Sequence, residues 1–344
     1  MHYRHGLTLG KFLPLHQGHE LLLTVAASRC ETLTVLVGTT ADDRWSFETR
    51  ARWIRDALAR RPDLASTQLN IVNDPDPDPN VAKDASGTVT DETYWRTWLA
   101  QNATHFAALD AVFTSDVYGA HIAERAGVEW CPVDPDRTVY PISGSQILAN
   151  PAKHFARVSE AARPDVGATV AVLGAESTGK STLVESLVAE FGCGHAPEWG
   201  RIISEAKPEL TVADFDAIVT IQAEMILGAQ RHGNGLAITD TEAITTALFA
   251  PLYLDAEHEP SWDAARRQRF DLYLVLAPTV PWVNDGTRIL DHGERQAFHD
   301  RIVGALEALR YRFTVIDDQR FEARTDAARQ AVNGVLAMKD LRLV

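Results

Sequence analysis

Cysteine, long apolar runs and positive charge are all scarce in this sequence. The only cysteines are Cys30, Cys131 and Cys193, which form no even framework and have no metal-ligand spacing; this predicts reduced thiols in a reducing compartment. No apolar run approaches the ~18 residues that a membrane-spanning helix needs. The N-terminal MHYRHGLTLG lacks the apolar region of a secretory signal. We therefore expect a cytoplasmic protein with no membrane partner.

The shortage of positive charge excludes one class of binding. The chain has 33 Lys and Arg against 47 Asp and Glu, a formal net charge of −14. Binding nucleic acid without sequence preference requires clustered Lys and Arg, because counterion release drives it. We expect no nucleic-acid partner, and any anionic substrate must be held by local positive groups and backbone amides.

Strand-like and helix-like segments alternate through both halves of the chain. The runs GLTLG, TLTVLVG, LNIV, AVFTS and VEWCPV alternate with helical patterns in the first half, and TVAVLG, LAITD, DLYLVLAP and FTVIDD continue the alternation from Thr169. This pattern is typical of βαβ units with parallel sheets, so the predicted fold class is α/β. Since 344 residues exceed one average domain, we expect domains at 1–150 and 168–344, joined by a linker over 151–167.

The loop after the first predicted strand reads GKFLPLHQGHE, with His16 and His19 three residues apart. Ligands of parallel sheets bind at the carboxyl ends of strands, so phosphate is expected at this loop. Two such histidines alone favour a turn with solvated side chains, and the rest of the chain must decide between these interpretations. The stretch DPDPDPN at 74–80 is interpreted as a polar loop rather than a metal site.

The second half contains a phosphate-binding loop. GAESTGKS at 174–181 satisfies G-x-x-x-x-G-K-[ST] and lies between an apolar strand and a helical segment, which is the context the motif requires. Backbone amides and the helix N-terminus would surround the β-phosphate, Lys180 would neutralise β/γ oxygens and Ser181 would bind Mg²⁺. The predicted ATP-binding residues of this loop are Gly174, Ala175, Glu176, Ser177, Thr178, Gly179, Ser181 and Thr182.

Two carboxylates are candidates for catalysis in this half. Asp240 ends a predicted strand, where it would meet the Mg²⁺, although a helix N-cap is an equally good interpretation. Glu198 in PEWGR is a candidate base for a substrate hydroxyl, or the ion-pair partner of Arg201.

The polar segment PWVNDGTRILDHGERQAFHDRI is a candidate lid. Arg288 and Arg295 would close over the phosphates and supply positive charge, or would be solvated helix arginines. Trp282 and Asp285 offer an aromatic face and a carboxylate, which suit an aromatic base with positive charge, although Trp282 is equally consistent with a core position.

Two motifs together establish a family resemblance. GKFLPLHQGH resembles the GxFxPxHxGH loop of nucleotidylyltransferases, and ISGSQIL at 142–148 resembles their second motif, ISxTxxR. Ahead of a P-loop domain with GAESTGKS, EWGR and WVNDGTR, they resemble the NadR-type bifunctional NMN adenylyltransferase and ribosylnicotinamide kinase. This implies a Rossmann-like nucleotidylyltransferase domain followed by a P-loop kinase domain.

The resemblance implies NAD salvage. The second domain would phosphorylate nicotinamide riboside with ATP, and the first would transfer AMP from ATP to the resulting NMN, giving NAD and pyrophosphate. His16 and His19 would contact ATP phosphates from a helix N-terminus. Trp95 would stack on the nicotinamide, and Arg137 and Arg201 would contact substrate. The other ATP-binding residues implied in the first domain are Gly10, Lys11, Phe12, Gly18, Ser143 and Ser145.

The sequence departs from the family pattern at Leu148, where ISxTxxR has arginine. We expect Leu148 in the first helical turn, facing the phosphates, with Lys11, Arg137 or Lys153 as candidates to replace the missing charge. Two hypotheses follow: an enzyme with both activities, or a kinase whose first domain senses NMN or NAD but transfers adenylyl groups poorly. Some members carry a DNA-binding helix-turn-helix ahead of these domains; none is expected here. Self-association is left open.

Overall fold

The computed structural model describes residues 2–78, 80–82, 89–207, 209–281, 290 and 293–341. It divides the chain into two compact units, Met1–Ala162 (unit 1) and Arg163–Val344 (unit 2). The segment 151–167, expected to be a linker, is split between the units at Ala162.

Unit 1 contains a five-stranded parallel sheet. Its strands are β1 (Tyr3–Gly10), β2 (Cys30–Thr39), β3 (Gln68–Pro75), β4 (Ala111–Thr114) and β5 (Glu129–Pro132), in the order β3-β2-β1-β4-β5. Its helices are α1 (Gln17–Ser28), α2 (Phe47–Ala59), α3 (Glu92–Gln101), α4 (Ala103–Phe106), α5 (Tyr118–Ala126), α6 (Gly144–Ala149) and α7 (Pro151–His154). The strand order reverses direction between β1 and β4, which places a crevice at the carboxyl ends of these two strands.

Unit 2 contains a second five-stranded parallel sheet. Its strands are β6 (Ala168–Gly174), β7 (Gly194–Ala196), β8 (Leu236–Asp240), β9 (Leu272–Leu276) and β10 (Phe313–Ile316), in the order β10-β9-β6-β8-β7. Its helices are α8 (Arg163–Val166), α9 (Lys180–Phe191), α10 (Trp199–Ala206), α11 (Val212–His232), α12 (Ala243–Leu254), α13 (Glu259–Arg267), α14 (Glu294–Ala308) and α15 (Phe321–Met338).

These sheets confirm the α/β class predicted from the alternating pattern. Every residue of β6, β8 and β9 is buried, as expected of central parallel strands covered by helices on both faces. The short strand β7 was not predicted, because GHA is too short to show a periodic pattern. The segment 151–167, predicted as a linker, contains the short helix α7, the 3₁₀ helix Phe155–Arg157 and the short helix α8.

Candidate active sites

A cavity of 250 Å³ lies at the crevice of unit 1, and we call it the histidine cavity. It collects side chains from the loops after β1, β4 and β5 and from the start of α6. The lining residues are Leu9, Gly10, Lys11, His16, Gly18, His19, Leu22, Ser115, Asp116, Tyr118, Asp134, Arg137, Tyr140, Ile142, Ser143 and Gly144.

The two histidines of the opening loop stack on each other at the start of α1. His16 is the N-cap of this helix: its Nδ1 accepts a hydrogen bond from the His19 backbone N–H at 3.4 Å. The ring centroids are 3.7 Å apart. A Cβ at Gly18 would lie 3.2 Å from the His16 ring, so glycine keeps this space open. Phe12 is buried behind His19, with ring centroids 4.9 Å apart, and supports that ring rather than lining the cavity.

Both histidines are held neutral. Burial lowers the pKa of His16 to about 4, and the charge of Arg137 adds to the effect. Burial, then His16 and Arg137, hold the pKa of His19 well below its usual range. Because Nδ1 of His16 accepts a hydrogen bond, its neutral ring carries the proton on Nε2. His16 therefore supplies a hydrogen-bond donor at neutral pH without a positive charge.

Positive charge in the histidine cavity comes from Arg137 and Lys11. Arg137 donates to Asp116 Oδ1 at 3.1 Å. The loop that contains Arg137 is shaped by Asp134. The Asp134 carboxylate accepts hydrogen bonds from the backbone N–H groups of Thr138, Val139 and Tyr140 at 2.7 to 3.3 Å. Arg137 was predicted from the sequence, whereas Asp134 and Asp116 were not, although an Asp that accepts hydrogen bonds from nearby backbone amides is a recognised turn signal.

The loop around Lys11 is fixed by a buried ion pair that the sequence analysis also missed. Arg50 on α2 donates to the carbonyls of Lys11 and Gly38 at 2.8 and 2.9 Å and pairs with Asp43 at 2.9 Å. From the other side, Val158 pairs with His16 as an isolated bridge.

The second motif contributes a helix start but no charge. Ser143 caps α6, and a Cβ at Gly144 would lie 2.6 Å from the Leu13 carbonyl oxygen, so the helix approaches the opening loop closely. Ser145 and Leu148 are exposed, Leu148 by 36%, and neither is among the residues that line the cavity. Leu148 is the fifth residue of α6, beyond the first turn where the sequence analysis expected it. Lys153 is also exposed and outside the cavity.

A second cavity of 220 Å³, the tryptophan cavity, adjoins the first and shares Leu9, Gly10, Lys11 and Tyr118 with it. Trp95 and Trp98 form one wall. Trp95 is buried, its Nε1 donates to the Val89 carbonyl at 2.7 Å and Arg125 stacks over its ring at 5.1 Å.

Two carboxylates also line the tryptophan cavity. Asp74 is buried and accepts hydrogen bonds from Trp98 Nε1, Gln101 Nε2 and Asn102 Nδ2 at 2.9 to 3.1 Å. Asp76 accepts from the Tyr94 hydroxyl at 3.1 Å. The cavity therefore combines aromatic faces with fixed negative charge, which suits a cationic aromatic ring.

The P-loop of unit 2 joins β6 to α9 and forms one wall of a 230 Å³ cavity, the P-loop cavity. Gly174, Ser177 and Gly179 have positive φ angles of 157°, 60° and 81°. The hydroxyl of Thr178 and the Lys180 ammonium both donate to the Ala175 carbonyl, at 2.8 and 3.2 Å. Residues 176–182 line the cavity, whereas Gly174 and Ala175 form the buried base of the loop.

Glu198 faces the P-loop across this cavity, at the N-terminus of α10. Burial raises the pKa of its carboxyl; the charge of Lys180 opposes this shift and that of Asp240 reinforces it. The buried Gln222 fixes the segment around Glu198, since it accepts from Trp199 N at 2.9 Å and donates to the Pro197 carbonyl at 3.1 Å. Gln222 was not predicted, because its helix gives no sequence signal of this contact.

Asp240 ends β8 and is 4% exposed, and its Oδ1 has no hydrogen-bond partner. A buried carboxylate oxygen without a donor fits a cation ligand. Ser181 lines the P-loop cavity, so Ser181 and Asp240 fit the Mg²⁺ that P-loop enzymes use. The helix N-cap at this strand end is Glu242 rather than Asp240. Among the described residues, no group of three His, Cys, Asp or Glu side chains could hold a metal alone.

The remaining wall of the P-loop cavity combines aromatic and apolar side chains with polar ones. Phe215, Phe249 and Tyr253 line it, and Arg201 lies at its edge, paired with Glu205 at 2.9 Å. These three aromatic residues were not predicted from the sequence, because each lies in a helix whose other apolar residues pack in the core.

Arg295 is placed differently from the lid expectation. It is 1% exposed on α14 and donates to the carbonyls of Ser177 and Val280 at 3.1 and 3.3 Å, so it braces the P-loop. Trp282, Asp285 and Arg288 lie outside the described residues. No helix in the described part of the chain is long and apolar enough to cross a membrane.

Comparisons with known proteins agree with this architecture. A family model for an AAA domain matches residues 169–324. The trifunctional NAD biosynthesis/regulator protein NadR of Escherichia coli (strain K12) is 31% identical over 334 residues, which are 93% of this chain and 80% of the relative.

Two solved structures share the fold. They are crystal structures of a NadR protein in complex with NR and in complex with NAD and AMP-PNP, 22% and 23% identical. Each has a TM-score of 0.67 and covers 97% of this chain and 96% of its own. The identity and coverage of the E. coli relative show that this chain belongs to the NadR family.

Proposed function

We propose that the chain is a NAD salvage enzyme with two ATP-dependent activities. Unit 2 phosphorylates nicotinamide riboside to NMN, and unit 1 transfers the adenylyl group of ATP to NMN, giving NAD and pyrophosphate. The observation that carries the proposal is that each unit has its own phosphate cradle opening into a cavity with aromatic walls and a carboxylate. The solved relatives support it, since they hold NR, and NAD with AMP-PNP.

In unit 2 the riboside would lie against Phe215, Phe249 and Tyr253, with its 5′-hydroxyl toward the P-loop. The hydroxyl oxygen attacks the γ-phosphorus of ATP, the bond to the β–γ bridging oxygen breaks, and ADP leaves. Glu198 accepts the hydroxyl proton; its raised pKa makes it a stronger base than an exposed carboxylate. Lys180 stabilises the charge that develops on the phosphates.

Mg²⁺ would be held by Ser181 and Asp240, and it would neutralise phosphate charge in this site. Arg295 acts one step away, because it holds the Ser177 carbonyl and so keeps the P-loop amides directed at the phosphates. Arg201 would contact the riboside from the edge of the cavity.

In unit 1 the triphosphate of ATP would lie in the histidine cavity and the nicotinamide of NMN in the tryptophan cavity. An NMN phosphate oxygen attacks the α-phosphorus, and pyrophosphate leaves with the electron pair of the broken bond. His16 and His19 donate to phosphate oxygens, while Lys11 and Arg137 supply charge. No covalent intermediate with the protein is required, so the site works by alignment and charge stabilisation.

The walls of the tryptophan cavity suit the positively charged nicotinamide ring better than an anionic ring. The pyridinium of NMN is positive, and the walls offer two indoles and the carboxylates of Asp74 and Asp76. Trp95 presents only one side to this cavity, because Arg125 stacks over its ring.

The alternative is a kinase whose first unit only senses NMN or NAD. It is based on the absence of the motif arginine at position 148, where this chain has Leu148. Leu148 is exposed and outside the cavity, whereas Arg137 and Lys11 line it. The missing arginine therefore does not leave the cavity without positive charge, which supports the enzyme with two activities.

The test is to incubate the protein with ATP, Mg²⁺ and nicotinamide riboside and to resolve NMN, NAD, ADP and pyrophosphate over time. We expect NMN and ADP first, followed by NAD and pyrophosphate. NMN that accumulates without NAD would favour the sensing alternative, and absence of both products would contradict the proposal.

A further inference from the structure

Tyr118 lies where the two cavities of unit 1 meet. It is the first residue of α5, directly after the loop that follows β4, and it lines both cavities. The other shared residues are Leu9, Gly10 and Lys11. Among the four, only Lys11 and Tyr118 have polar side-chain groups, so an ammonium and a phenol bound the junction.

The backbone at Tyr118 is held firmly. The Thr114 hydroxyl donates to the Asp116 carbonyl at 2.8 Å, and the same carbonyl accepts from Gly119 N at 3.1 Å. A Cβ at Gly119 would lie 1.8 Å from Thr114 Oγ1, so only glycine allows α5 to begin this close to the end of β4. These contacts fix the position from which the Tyr118 side chain extends.

The ring of Tyr118 packs against the core of unit 1, which contains Leu7, Val112 and Ile122. Its hydroxyl makes no hydrogen bond with any residue in the described part of the chain, and its oxygen is not among the buried, unpartnered atoms. Burial raises the pKa of the phenol, and the charges of Asp116 and Asp74 add to this. The group is therefore a protonated donor, rigidly held and available to a ligand.

We propose that Tyr118 is a catalytic residue of adenylyl transfer, its hydroxyl donating a hydrogen bond to a nonbridging oxygen of the α-phosphate of ATP. This inference rests on the proposed function of unit 1. In the step, the NMN phosphate oxygen forms a bond to the α-phosphorus while the bond to the β-phosphate oxygen breaks, and pyrophosphate takes the electron pair. Tyr118 keeps its proton throughout.

The α-phosphate must lie at this junction for geometric reasons. ATP phosphates in the histidine cavity and NMN in the tryptophan cavity can react only where the two cavities open into each other. A donor at that point stabilises the charge on the reacting phosphate, and Lys11 offers the complementary positive charge.

The test is the adenylyl transfer rate of Tyr118→Phe with saturating ATP and NMN. Loss of a hydrogen bond to a charged oxygen should lower kcat about 10- to 100-fold, with the KM values for ATP and NMN changed less than about 3-fold. The matched control is Tyr3→Phe: Tyr3 is also buried in unit 1, its hydroxyl contacts Cys131 Sγ at 3.3 Å, and it lies at the opposite end of β1. We expect wild-type rates from the control.

Unchanged kcat in folded Tyr118→Phe, or a change in KM alone, would overturn the proposal. If Tyr118→Phe does not fold, Tyr118→His and Tyr118→Leu are compared. The histidine variant keeps an N–H donor and should be faster than the leucine variant, whereas equal rates would contradict a role for the donor.

Failure of the proposed function itself gives a different result. If the wild type releases no pyrophosphate with NMN, unit 1 is not an adenylyltransferase under these conditions, and NAD binding is then measured by calorimetry. The pyrophosphate of NAD would cross the same junction, so Tyr118→Phe should bind NAD about 10-fold more weakly than wild type. Equal affinity would show that the hydroxyl does not contact the phosphates.

Discussion

The two proposed phosphate cradles of this chain are built in different ways. In unit 2 the cradle is one contiguous loop, 174–181. Its shape is determined by its own backbone, in which three residues have positive φ angles. In unit 1 the cradle is assembled from the loops after three strands and the start of α6. One is local in sequence, and the other depends on the tertiary structure.

The source of positive potential differs as well. Unit 2 places the Lys180 ammonium against the loop, with the N-terminus of α9 behind it. In the proposed mechanism, unit 1 would use two neutral histidines as donors and take its positive charge from Arg137 and Lys11, which line the cavity. We expect the contiguous cradle to depend strongly on one side chain and the assembled cradle to divide its function among several.

The largest effect expected from this comparison is that of Lys180→Ala. Removing the ammonium deprives the transferring phosphate of its charge stabilisation, so riboside phosphorylation should fall by about 10³-fold. Adenylyl transfer to supplied NMN should persist. Coupled assays of ADP and of pyrophosphate, run on the same preparation, measure the two activities separately.

Lys339→Ala is the matched control in unit 2. Lys339 pairs with Asp271 at 2.9 Å and donates to the Gly167 carbonyl, near the start of β6 and away from the P-loop. The Lys339→Ala variant should leave both activities unchanged. Equal loss of both activities in Lys180→Ala would mean that the two cavities do not work independently.

One buried group in each unit should contribute to stability with opposite pH dependence. Burial raises the pKa of Glu242, the N-cap of α12, to about 7. This carboxyl contributes stability in full below about pH 4.5, and the contribution is lost as the pH rises toward 7. His16, with its pKa lowered to about 4, contributes stability that is lost as the pH falls from 6.5 toward 4.

Each shift corresponds to about 3 kcal/mol at its full extent. Glu242→Gln keeps an acceptor for the Ile244 backbone N–H and should stabilise unit 2 relative to wild type at pH 7.5 but not at pH 4. His16→Asn keeps a cap and should stabilise unit 1 relative to wild type at pH 4.5 but not at pH 7.5. Hydrogen exchange in urea, read peptide by peptide, measures each unit separately. A pH-independent difference in either variant would contradict the assigned pKa shift.

The contrast between the cradles explains what the sequence could predict. The P-loop, the strands that flank it and the histidine loop were all predicted, because each is a contiguous pattern whose chemistry is local. Asp240 was also predicted correctly at the end of a strand. The alternative interpretation, that Asp240 is a helix N-cap, is wrong, because the N-cap of the following helix is Glu242.

The contacts that the sequence analysis missed are those that depend on distant segments. Arg50 reaches the Lys11 carbonyl from α2, and Gln222 reaches the segment around Glu198 from α11. Both side chains are buried, and nothing in their own helices distinguishes them from ordinary polar residues. Arg295 was predicted to be either a lid residue or a solvated helix arginine, whereas it is buried and donates to the Ser177 carbonyl. The sequence of its segment gives no sign of whether the side chain points outward or inward.

In the assembled cradle, His19→Ala should have the next largest effect. A donor to a transferring phosphate typically contributes a few kcal/mol, so adenylyl transfer should fall about 100-fold. The kinase activity should not change. NMN-dependent pyrophosphate release measures the effect, with His121→Ala on the exposed face of α5 as the control. If His19→Ala releases pyrophosphate at the wild-type rate, the two histidines have a purely structural role.

The smallest effects should distinguish Arg137 from position 148. Arg137 lines the histidine cavity, but its side chain is 41% exposed and already paired with Asp116, so its charge is partly screened. We expect Arg137→Ala to lower kcat/KM for ATP in adenylyl transfer by about 10-fold. An arginine at position 148 would extend from an exposed site on α6, beyond the first turn.

Leu148→Arg should therefore change the same kcat/KM by less than about 3-fold, rather than by the 10- to 150-fold that one added hydrogen bond to a charged group would give. The sequence pattern alone predicts the larger gain, because it places residue 148 against the phosphates. Steady-state kinetics of the two variants, and of the double variant Arg137→Ala/Leu148→Arg, separate these expectations. If the added arginine restores the activity lost at Arg137, the two positions reach the same phosphates and α6 moves toward the cavity when ATP binds. If it does not, position 148 lies outside the reach of the phosphates, and their positive charge comes from the residues that line the cavity, Arg137 and Lys11.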